Sequence, residues 1–350
     1  MSKHRLVIVG FGGMGNWHRE TASKIDCIEM YGAYDIKPER LQLAREKGLH
    51  AYASFEEVLA DPTVEIVTCA TPNDSHRDIA IRALEAGKNV VCEKPVALSS
   101  KEYADMADAA ERTGKLLMVH QNRRWDEDFL TVKKMFEEQT LGEIFRIESR
   151  VHGSRGIPGD WRQEPEHGGG MILDWGVHLL DQALQMVPGK LERVFARVTH
   201  VTNELVDDGF YATLLFENGV TFAVEVGTSN FISLPRWYVL GRDGSAVVEW
   251  SEAASRTVRV TDWSKNDAVP IRTAAGLTKT MAPRTDDTIR EEPVTFVKAD
   301  IHDFYRNVAA VIEGRAKPLI KADEVMRVFK LMEAIRGSAE SGRVIDFETA

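Results

Sequence analysis

Short apolar runs alternate with longer amphipathic stretches over the first third of the 350-residue chain. The runs LVIV, MYGAYD, EIVTCAT, NVVC and LLMVH have the composition of buried strands, and segments 75–86 and 99–112 have apolar residues at helical spacing. Strands that alternate with helices form parallel sheets with helices on both faces. The pattern therefore predicts an α/β domain with a doubly wound parallel sheet over residues 1–120.

The pattern changes after residue 120. Helical spacing over 126–138 and 171–186 flanks the strand-like EIFRIESRV and a glycine-rich loop. Strands of alternating polarity follow from 191 to 260, and hairpin turns are expected at Asn218-Gly219 and Asp243-Gly244. These features are typical of an antiparallel sheet.

Two further helices, over 299–313 and 321–341, precede a closing strand, VIDF. We therefore predict that residues 121–350 form a second α/β domain with an open, mostly antiparallel sheet of about six strands. Residues 261–293 are polar and show neither period, so we expect an irregular excursion over the sheet there.

Composition and charge restrict the partners. With 43% hydrophobic and 28% charged residues, the chain resembles an ordinary soluble globular protein. The net charge of −10 argues against nucleic acid and anionic membranes, because the sequence has no basic cluster beyond Arg123-Arg124. Three cysteines without CxxC spacing, and no signal peptide or membrane span, predict a cytoplasmic protein that acts on a small molecule.

The stretch LVIVGFGGMGNWH places Gly10, Gly12 and Gly15 between a strand and a helix. This GxGxxG spacing allows a tight turn, a close approach of backbone amides to a pyrophosphate, and tight helix packing. Asp35 ends the next apolar strand, where a carboxylate can accept hydrogen bonds from the adenosine ribose. The motif predicts a dinucleotide site, and the alternative is an ordinary turn with Asp35 as a helix cap.

An acid at position 35 repels a 2′-phosphate, so NAD is the predicted cofactor. Lys37 leaves NADP possible, because a lysine there can reach a phosphate. The segment ATPNDSH would lie at the same carboxyl edge of the sheet, although its polar residues also suit helix capping. The predicted cofactor-binding residues are Gly10, Phe11, Gly12, Gly13, Met14, Gly15, Asp35, Ile36, Arg40, Ala70, Thr71, Pro72, Asn73, His76, Glu93, Lys94 and Gln121.

The run NVVC ends in Glu93-Lys94-Pro95. Proline holds the preceding lysine in extended or turn backbone, so Lys94 is expected on a fixed loop at the nicotinamide end of the crevice. A lysine there can share a substrate hydroxyl proton. The alternative is a solvated loop charge.

The stretch GGGMILDWGVHLLDQAL places Asp174 and His178 at i, i+4 on a helix. An imidazole beside a carboxylate suits proton removal from an alcohol, with the imidazole as base and the carboxylate either orienting it or binding a neighbouring hydroxyl. A metal site is a weaker alternative, because no second His/Cys pair accompanies it. A core histidine is the other alternative. We therefore predict no metal.

The motifs GFGGMG, ATPNDSH, CEKPVAL, NRRWD and GGGMILDWGVHLLD resemble, in this order, the glucose-fructose oxidoreductase and inositol dehydrogenase family, often called Gfo/Idh/MocA. The likeness extends over nearly the whole chain. It implies a Rossmann domain followed by an α/β domain whose open sheet commonly serves oligomer contact. It also implies that Lys94, Asp174 and His178 are catalytic and that Arg124, Trp161 and Arg162 line the substrate pocket with Asp174 and His178.

The resemblance implies an NAD(P)-dependent dehydrogenase that oxidises a secondary hydroxyl of a sugar, cyclitol or related polyol. We expect a homo-oligomer, a dimer or tetramer, formed through the C-terminal sheet. Two alternatives are a lyase or glycosidase that recycles its NAD, and a nicotinamide-binding redox sensor. Lys94 and His178 favour catalysis, because a sensor needs neither.

Overall fold

The computed structural model describes residues 3–265, 269–278, 280 and 282–348. Its N-terminal sheet consists of β1 (His4–Val9), β2 (Ile28–Tyr34), β3 (His50–Ala51), β4 (Ile66–Cys69), β5 (Asn89–Cys92) and β6 (Leu117–Val119). All six strands are parallel, in the order β3-β2-β1-β4-β5-β6. The order reverses between β1 and β4, so a crevice opens at their carboxyl ends, where ligands of such sheets bind.

Helices connect these strands, and two of them have a clear start signal. Ser54 and Ser99 accept hydrogen bonds from backbone N–H groups of the first turns of two of them, and Gly114 ends one in left-handed conformation. The helices are α1 (Gly13–Ala22), α2 (Pro38–Glu46), α3 (Phe55–Ala60), α4 (His76–Glu85) and α5 (Ser100–Thr113).

The second sheet has nine strands, in the order β16-β13-β12-β11-β7-β10-β9-β8-β17. Its members are β7 (Ile144–His152), β8 (Leu191–Thr199), β9 (Gly209–Phe216), β10 (Thr221–Gly227), β11 (Trp237–Gly241), β12 (Gly244–Val248), β13 (Arg256–Val260), β16 (Ile289–Pro293) and β17 (Ile345–Asp346). All neighbours are antiparallel except β7 and β10. Both expected hairpin turns are present.

Helices cover one face of this sheet. They are α6 (Glu127–Glu137), α7 (Val177–Met186) and α9 (Ala322–Ser341), and a π-helical turn, Ile172–Gly176, leads directly into α7. Helix α8 (Asp303–Ile312) packs instead on the first domain, where Tyr305 contacts His18 and Thr68. Nearly every residue of α7 is buried. Helix α9 packs against both β8 and α5, so the C-terminal helices return to the first domain.

The predicted fold class, a parallel Rossmann sheet followed by a mostly antiparallel sheet, is confirmed. The second sheet is larger than expected, and the prediction of an irregular excursion over 261–293 is wrong in part. A small hairpin, β14 (Ile271–Thr273) with β15 (Gly276–Thr278), precedes β16, which pairs with β13 at the sheet edge. These strands are short and mostly exposed, so no apolar alternation marks them. Positions 266–268, 279 and 281 of that segment lie outside the described residues.

No helix in the described part of the chain combines the length and apolar composition that a transmembrane span needs. The three cysteines are free, with Cys69 and Cys92 buried at the ends of neighbouring strands. The predicted division at residue 120 stays a prediction.

Candidate active site

The glycine-rich turn joins β1 to α1 at the crevice. Gly10 has φ +92°, and a Cβ there would lie 2.6 Å from the Ala70 carbonyl oxygen, so only glycine fits. A Cβ on Gly12 or Gly13 would meet nothing within 4 Å, which leaves open space above the first N–H groups of α1. An anionic pyrophosphate fits such a space because these N–H groups have no helical partner.

Asp35 lies at the end of β2 and holds the glycine-rich turn in place. Its Oδ2 accepts a hydrogen bond of 2.7 Å from the Phe11 N–H, and its Oδ1 accepts one of 2.9 Å from the Lys37 N–H. The neighbouring Ile36 is 81% exposed, and Arg40 lies in the first turn of α2. The carboxylate is therefore fixed at the carboxyl end of β2, next to the glycine-rich turn and Lys37.

The segment after β4 is tied to the rest of the crevice by two buried side chains. His76 contacts the Pro95 carbonyl oxygen through Nδ1 and the Thr71 carbonyl oxygen through Nε2, both at 2.9 Å. Asn73 donates weakly to the carbonyl oxygens of His167 and Gly168. Both ring nitrogens of His76 are thus engaged with backbone, and the ring joins two loops of the predicted cofactor site instead of facing a ligand.

Lys94 and Asp174 bring the two domains together. Lys94 Nζ donates to the Asp174 carbonyl oxygen at 2.9 Å and to its Oδ1 at 3.2 Å, and Arg162 Nε donates to Oδ2 at 3.2 Å. Burial favours the neutral acid, but the charges and hydrogen bonds of Lys94 and Arg162 outweigh it and hold the pKa of Asp174 below its usual value. Asp174 is therefore a carboxylate between two cations.

Asp174 and His178, which their spacing predicts to share a helix face, are not hydrogen-bonded to each other among the described contacts. Asp174 lies in the π-helical turn, whose hydrogen bonds span five residues instead of the four of an α-helix. Its carboxylate is hydrogen-bonded to Lys94 and Arg162. His178 is 3% exposed, and its Nδ1 has no partner among the described residues. The carboxylate is therefore not placed to orient the imidazole, and the other predicted role, binding a neighbouring hydroxyl, stays a prediction.

His178 is held neutral. Burial, and then the positive charges of Lys94 and Arg123, keep the pKa of His178 well below its usual value. A neutral imidazole carries a free lone pair at neutral pH, and it can therefore accept a proton.

Further polar atoms without partners lie at the end of β6. Both side-chain amide atoms of Gln121 and the Oδ1 of Asn122 are buried with no hydrogen-bond partner in the described chain. Buried polar atoms are normally paired, so unpaired ones at the carboxyl edge of a parallel sheet fit a ligand with complementary donors and acceptors. The nicotinamide half of NAD, with its carboxamide and ribose hydroxyls, has this chemistry.

Arg124 is placed differently from its predicted role as a pocket residue. Its guanidinium binds both carboxylate oxygens of Asp181, at 2.6 and 2.8 Å, and Glu324 at 2.7 Å. Three charge-assisted bonds leave it little capacity for a substrate, and it joins α7 to α9.

Arg123 does not share the contacts of Arg124, and its guanidinium lies 4.1 Å from the centroid of the Trp175 ring. Arg123 was not predicted as a site residue, and its place in the Arg123-Arg124 pair was the only signal for it. Trp161, also predicted as a pocket residue, lies beneath Arg162 at 4.4 Å. Trp175 therefore supports Arg123, and Trp161 supports the cation that binds Asp174.

Comparisons with known proteins agree with this arrangement. A family model described as an oxidoreductase family with an NAD-binding Rossmann fold matches residues 4–121, and one described as the GFO/IDH/MocA C-terminal domain matches 129–247. An NAD-binding protein from Listeria innocua is 48% identical, with a TM-score of 0.95 over 99% of this chain and 100% of that chain.

Two enzymes are more distant relatives. The scyllo-inositol 2-dehydrogenase (NADP(+)) of Bacillus subtilis is 30% identical over 98% of this chain and 96% of its own. The myo-inositol 2-dehydrogenase of Thermotoga maritima is 28% identical over 63% of this chain and 67% of its own. The resemblance inferred from the motifs is confirmed.

Proposed function

Because this chain belongs to the Gfo/Idh/MocA family of NAD(P)-dependent oxidoreductases, we propose that it oxidises a secondary hydroxyl of a sugar, cyclitol or related polyol. The observation that carries the proposal is the contact of Lys94 with Asp174 beside a neutral His178. These three side chains supply a cation, an anion and a base around one point at the carboxyl edge of the nucleotide-binding sheet.

The dinucleotide would be held by the open turn at Gly12 and Gly13, by the Asp35 carboxylate, and by the amide groups of Gln121 and Asn122. NAD bound there supplies the hydride acceptor. Asp35 favours NAD, and Lys37 leaves use of NADP open.

The chain's own residues supply the proton chemistry. His178 is neutral and buried, so it takes the hydroxyl proton as the C–H bond breaks. Lys94 would share that proton with His178, and its positive charge stabilises negative charge that develops on the substrate oxygen. Arg162 is already paired with both Asp174 and Asp160. Asp174 also accepts hydrogen bonds, and it would orient a neighbouring substrate hydroxyl.

A polyol is the substrate class that these groups suit. A cyclitol or sugar presents several adjacent hydroxyls, each of which can donate to a carboxylate and accept from an ammonium or guanidinium group. The two named inositol dehydrogenases among the relatives act on cyclitols, and this supports the same class here.

A screen of inositol isomers, sugars and linear polyols with NAD and with NADP tests the proposal. The proposal predicts stoichiometric reduced nicotinamide, measured by its absorbance, and a ketone product. Product without net reduced cofactor would identify an NAD-recycling enzyme. Binding of the cofactor without turnover of any polyol would favour a sensor.

We also propose that the protein is a cytoplasmic homo-oligomer, a dimer or tetramer, assembled through the second sheet. The uncovered face of that sheet has both charged and half-exposed apolar side chains. The apolar ones are Phe195, Tyr211, Leu215, Tyr238 and Leu240. Light scattering at micromolar concentration tests this, and a monomer would contradict it.

A further inference from the structure

One carboxylate oxygen of Glu93 contacts two histidine side chains. Its Oε1 lies 2.7 Å from His18 Nε2 on α1 and 2.8 Å from His120 Nδ1 just after β6. His18 and His120 are 0% exposed, and Glu93 is 5% exposed. The proton chemistry proposed above uses none of these three side chains.

The hydrogen-bonded array of Glu93, His18 and His120 extends to the C-terminal helix α8. His18 Nδ1 lies 2.8 Å from the Tyr305 hydroxyl on α8, and that hydroxyl lies 3.1 Å from Thr68 Oγ1. With the Tyr305 hydroxyl donating to Nδ1, the proton of His18 is on Nε2, where it donates to Glu93. The tyrosine therefore fixes the tautomer that the carboxylate needs.

The array keeps a carboxylate charged inside the protein. Burial favours a neutral acid, but the charge and hydrogen bond of His120, followed by those of His18, hold the pKa of Glu93 well below its usual value. Burial in turn lowers the pKa of His18. The carboxylate therefore accepts hydrogen bonds from both rings.

Two histidines and a glutamate also resemble a metal site, and the three ligand atoms lie within 4.8 Å of one another. The N···O separations of 2.7 and 2.8 Å are those of hydrogen bonds. A tetrahedral metal bound at about 2.0–2.1 Å to both atoms would hold them roughly 3.3 Å apart. The geometry therefore favours protons over a metal ion.

The second oxygen of Glu93 reaches the proposed reaction centre. Glu93 Oε2 accepts the Lys94 N–H at 3.1 Å, and the Lys94 side chain extends from that backbone to Asp174. We propose that His120 is a positioning residue for Lys94: its Nδ1–H orients the Glu93 carboxylate, which fixes the backbone from which Lys94 reaches Asp174. This inference rests on the proposed role of Lys94.

A matched pair of variants separates this role from its rivals. Asparagine at position 120 places an N–H at the position of Nδ1, whereas leucine fills a similar volume with no donor. His120→Asn should keep kcat within about threefold of wild type, and His120→Leu should lower it about tenfold or more, because small displacements of a reacting group are costly. The substrate KM and the dissociation constant of NAD should change little.

A second readout does not depend on turnover. In a protein labelled with 15N-lysine, the amide resonance of Lys94 is identified by its absence from Lys94→Arg. That resonance should shift in His120→Leu and remain near the wild-type position in His120→Asn, because only leucine releases Glu93. If the polyol screen fails but this shift is seen, the proposed function fails and the positioning array stands.

Three results would overturn the inference. His120 Nε2 has no partner among the described residues, so equal loss of kcat in both variants would show that Nε2 itself handles a proton or ligand. Normal kcat and an unmoved Lys94 resonance in both would show that the array does not position Lys94. One equivalent of bound metal in the purified protein would replace the hydrogen-bonded array with a metal site.

Tyr305→Phe provides a second route if His120→Leu does not fold. It removes one oxygen and the donor to His18 Nδ1, with little change of volume. We expect a smaller shift of the Lys94 amide resonance in the same direction and a fall in kcat of roughly threefold or more. An unchanged resonance and kcat in this variant would also contradict the inference.

Discussion

The Nζ of Lys94 lies 2.9 Å from the Asp174 carbonyl oxygen and 3.2 Å from its Oδ1. This pair joins a loop of the nucleotide-binding sheet to the π-helical turn that begins the buried helix of the second domain. Because both the backbone and the side chain of Asp174 accept from the same ammonium group, the contact fixes the position of each residue. The proposed reaction centre is therefore shared by the two domains.

Replacing Asp174 with asparagine should remove the charge that balances Lys94 and Arg162. We expect kcat to fall by roughly a hundredfold, because the hydroxyl loses its charged acceptor and the two cations repel each other. Asp160→Asn is the matched control. Asp160 also binds Arg162, at 2.8 Å, but among the described residues it makes no hydrogen bond to Lys94. Equal effects in steady-state assays of both variants would contradict a specific role for Asp174.

The pH dependence of kcat/KM should reflect the low pKa of His178. A group with a lowered pKa stays neutral as pH falls through its usual value of about 6.5, so the acid limb should appear below that pH. Removing a nearby cation in Arg123→Gln should raise the pKa of His178 and move the limb to higher pH.

Lys134→Gln is the control for that shift, because Lys134 lies on the exposed side of α6 and is not among the cations that lower the pKa of His178. Its pH profile should match wild type. An acid limb that is unmoved in Arg123→Gln would mean that His178 is not the group whose protonation stops the reaction.

Cofactor preference should depend on opposite charges at positions 35 and 37. Asp35→Ala should weaken NAD far more than NADP, because the ribose contacts and the repulsion of a 2′-phosphate are lost together. Lys37→Ala should weaken NADP and leave NAD nearly unchanged. Fluorescence titration of both dinucleotides measures these effects. An unchanged NAD/NADP ratio in Asp35→Ala would place the ribose elsewhere.

Arg124 should contribute to stability and little to substrate binding. Its side chain is 10% exposed and that of Asp181 is 3% exposed, so Arg124→Met leaves a buried carboxylate without its cation. We expect a loss of about 3 kcal/mol in the free energy of unfolding and a nearly unchanged substrate KM. Glu324→Gln, at a more exposed partner, should cost less. A large rise in KM for Arg124→Met at normal stability would restore its predicted role in the pocket.

The fold was predictable because its signals are local. Glycine spacing, the alternation of strands and helices, and the hairpin turns each depend on a few neighbouring residues. Strand β16 was missed because an edge strand with the sequence IREEP has no apolar alternation. The second sheet was underestimated for the same reason.

The site was predictable only as a set of residues. Lys94 and Asp174 are 80 positions apart, and no local pattern encodes their contact. Arg123 and Arg124 are neighbours in the short helical turn Asn122–Trp125, where successive side chains point in different directions. The Arg123 guanidinium therefore lies on Trp175, whereas that of Arg124 binds Asp181. The separate surroundings of Asp174 and His178 were not predictable, because spacing alone cannot distinguish a π-helical turn from an α-helix.

The most direct test of a catalytic centre shared between the domains is kcat of Lys94→Ala, measured beside the dissociation constant of NAD and the folded fraction. The account predicts a folded variant that binds NAD normally and turns over a hundredfold or more slowly, the usual order of magnitude for a group that shares the reacting proton. Lys94→Arg should also fail, because arginine cannot release a proton near neutral pH. A folded Lys94→Ala enzyme with normal turnover would contradict the account and leave His178 as the sole proton carrier.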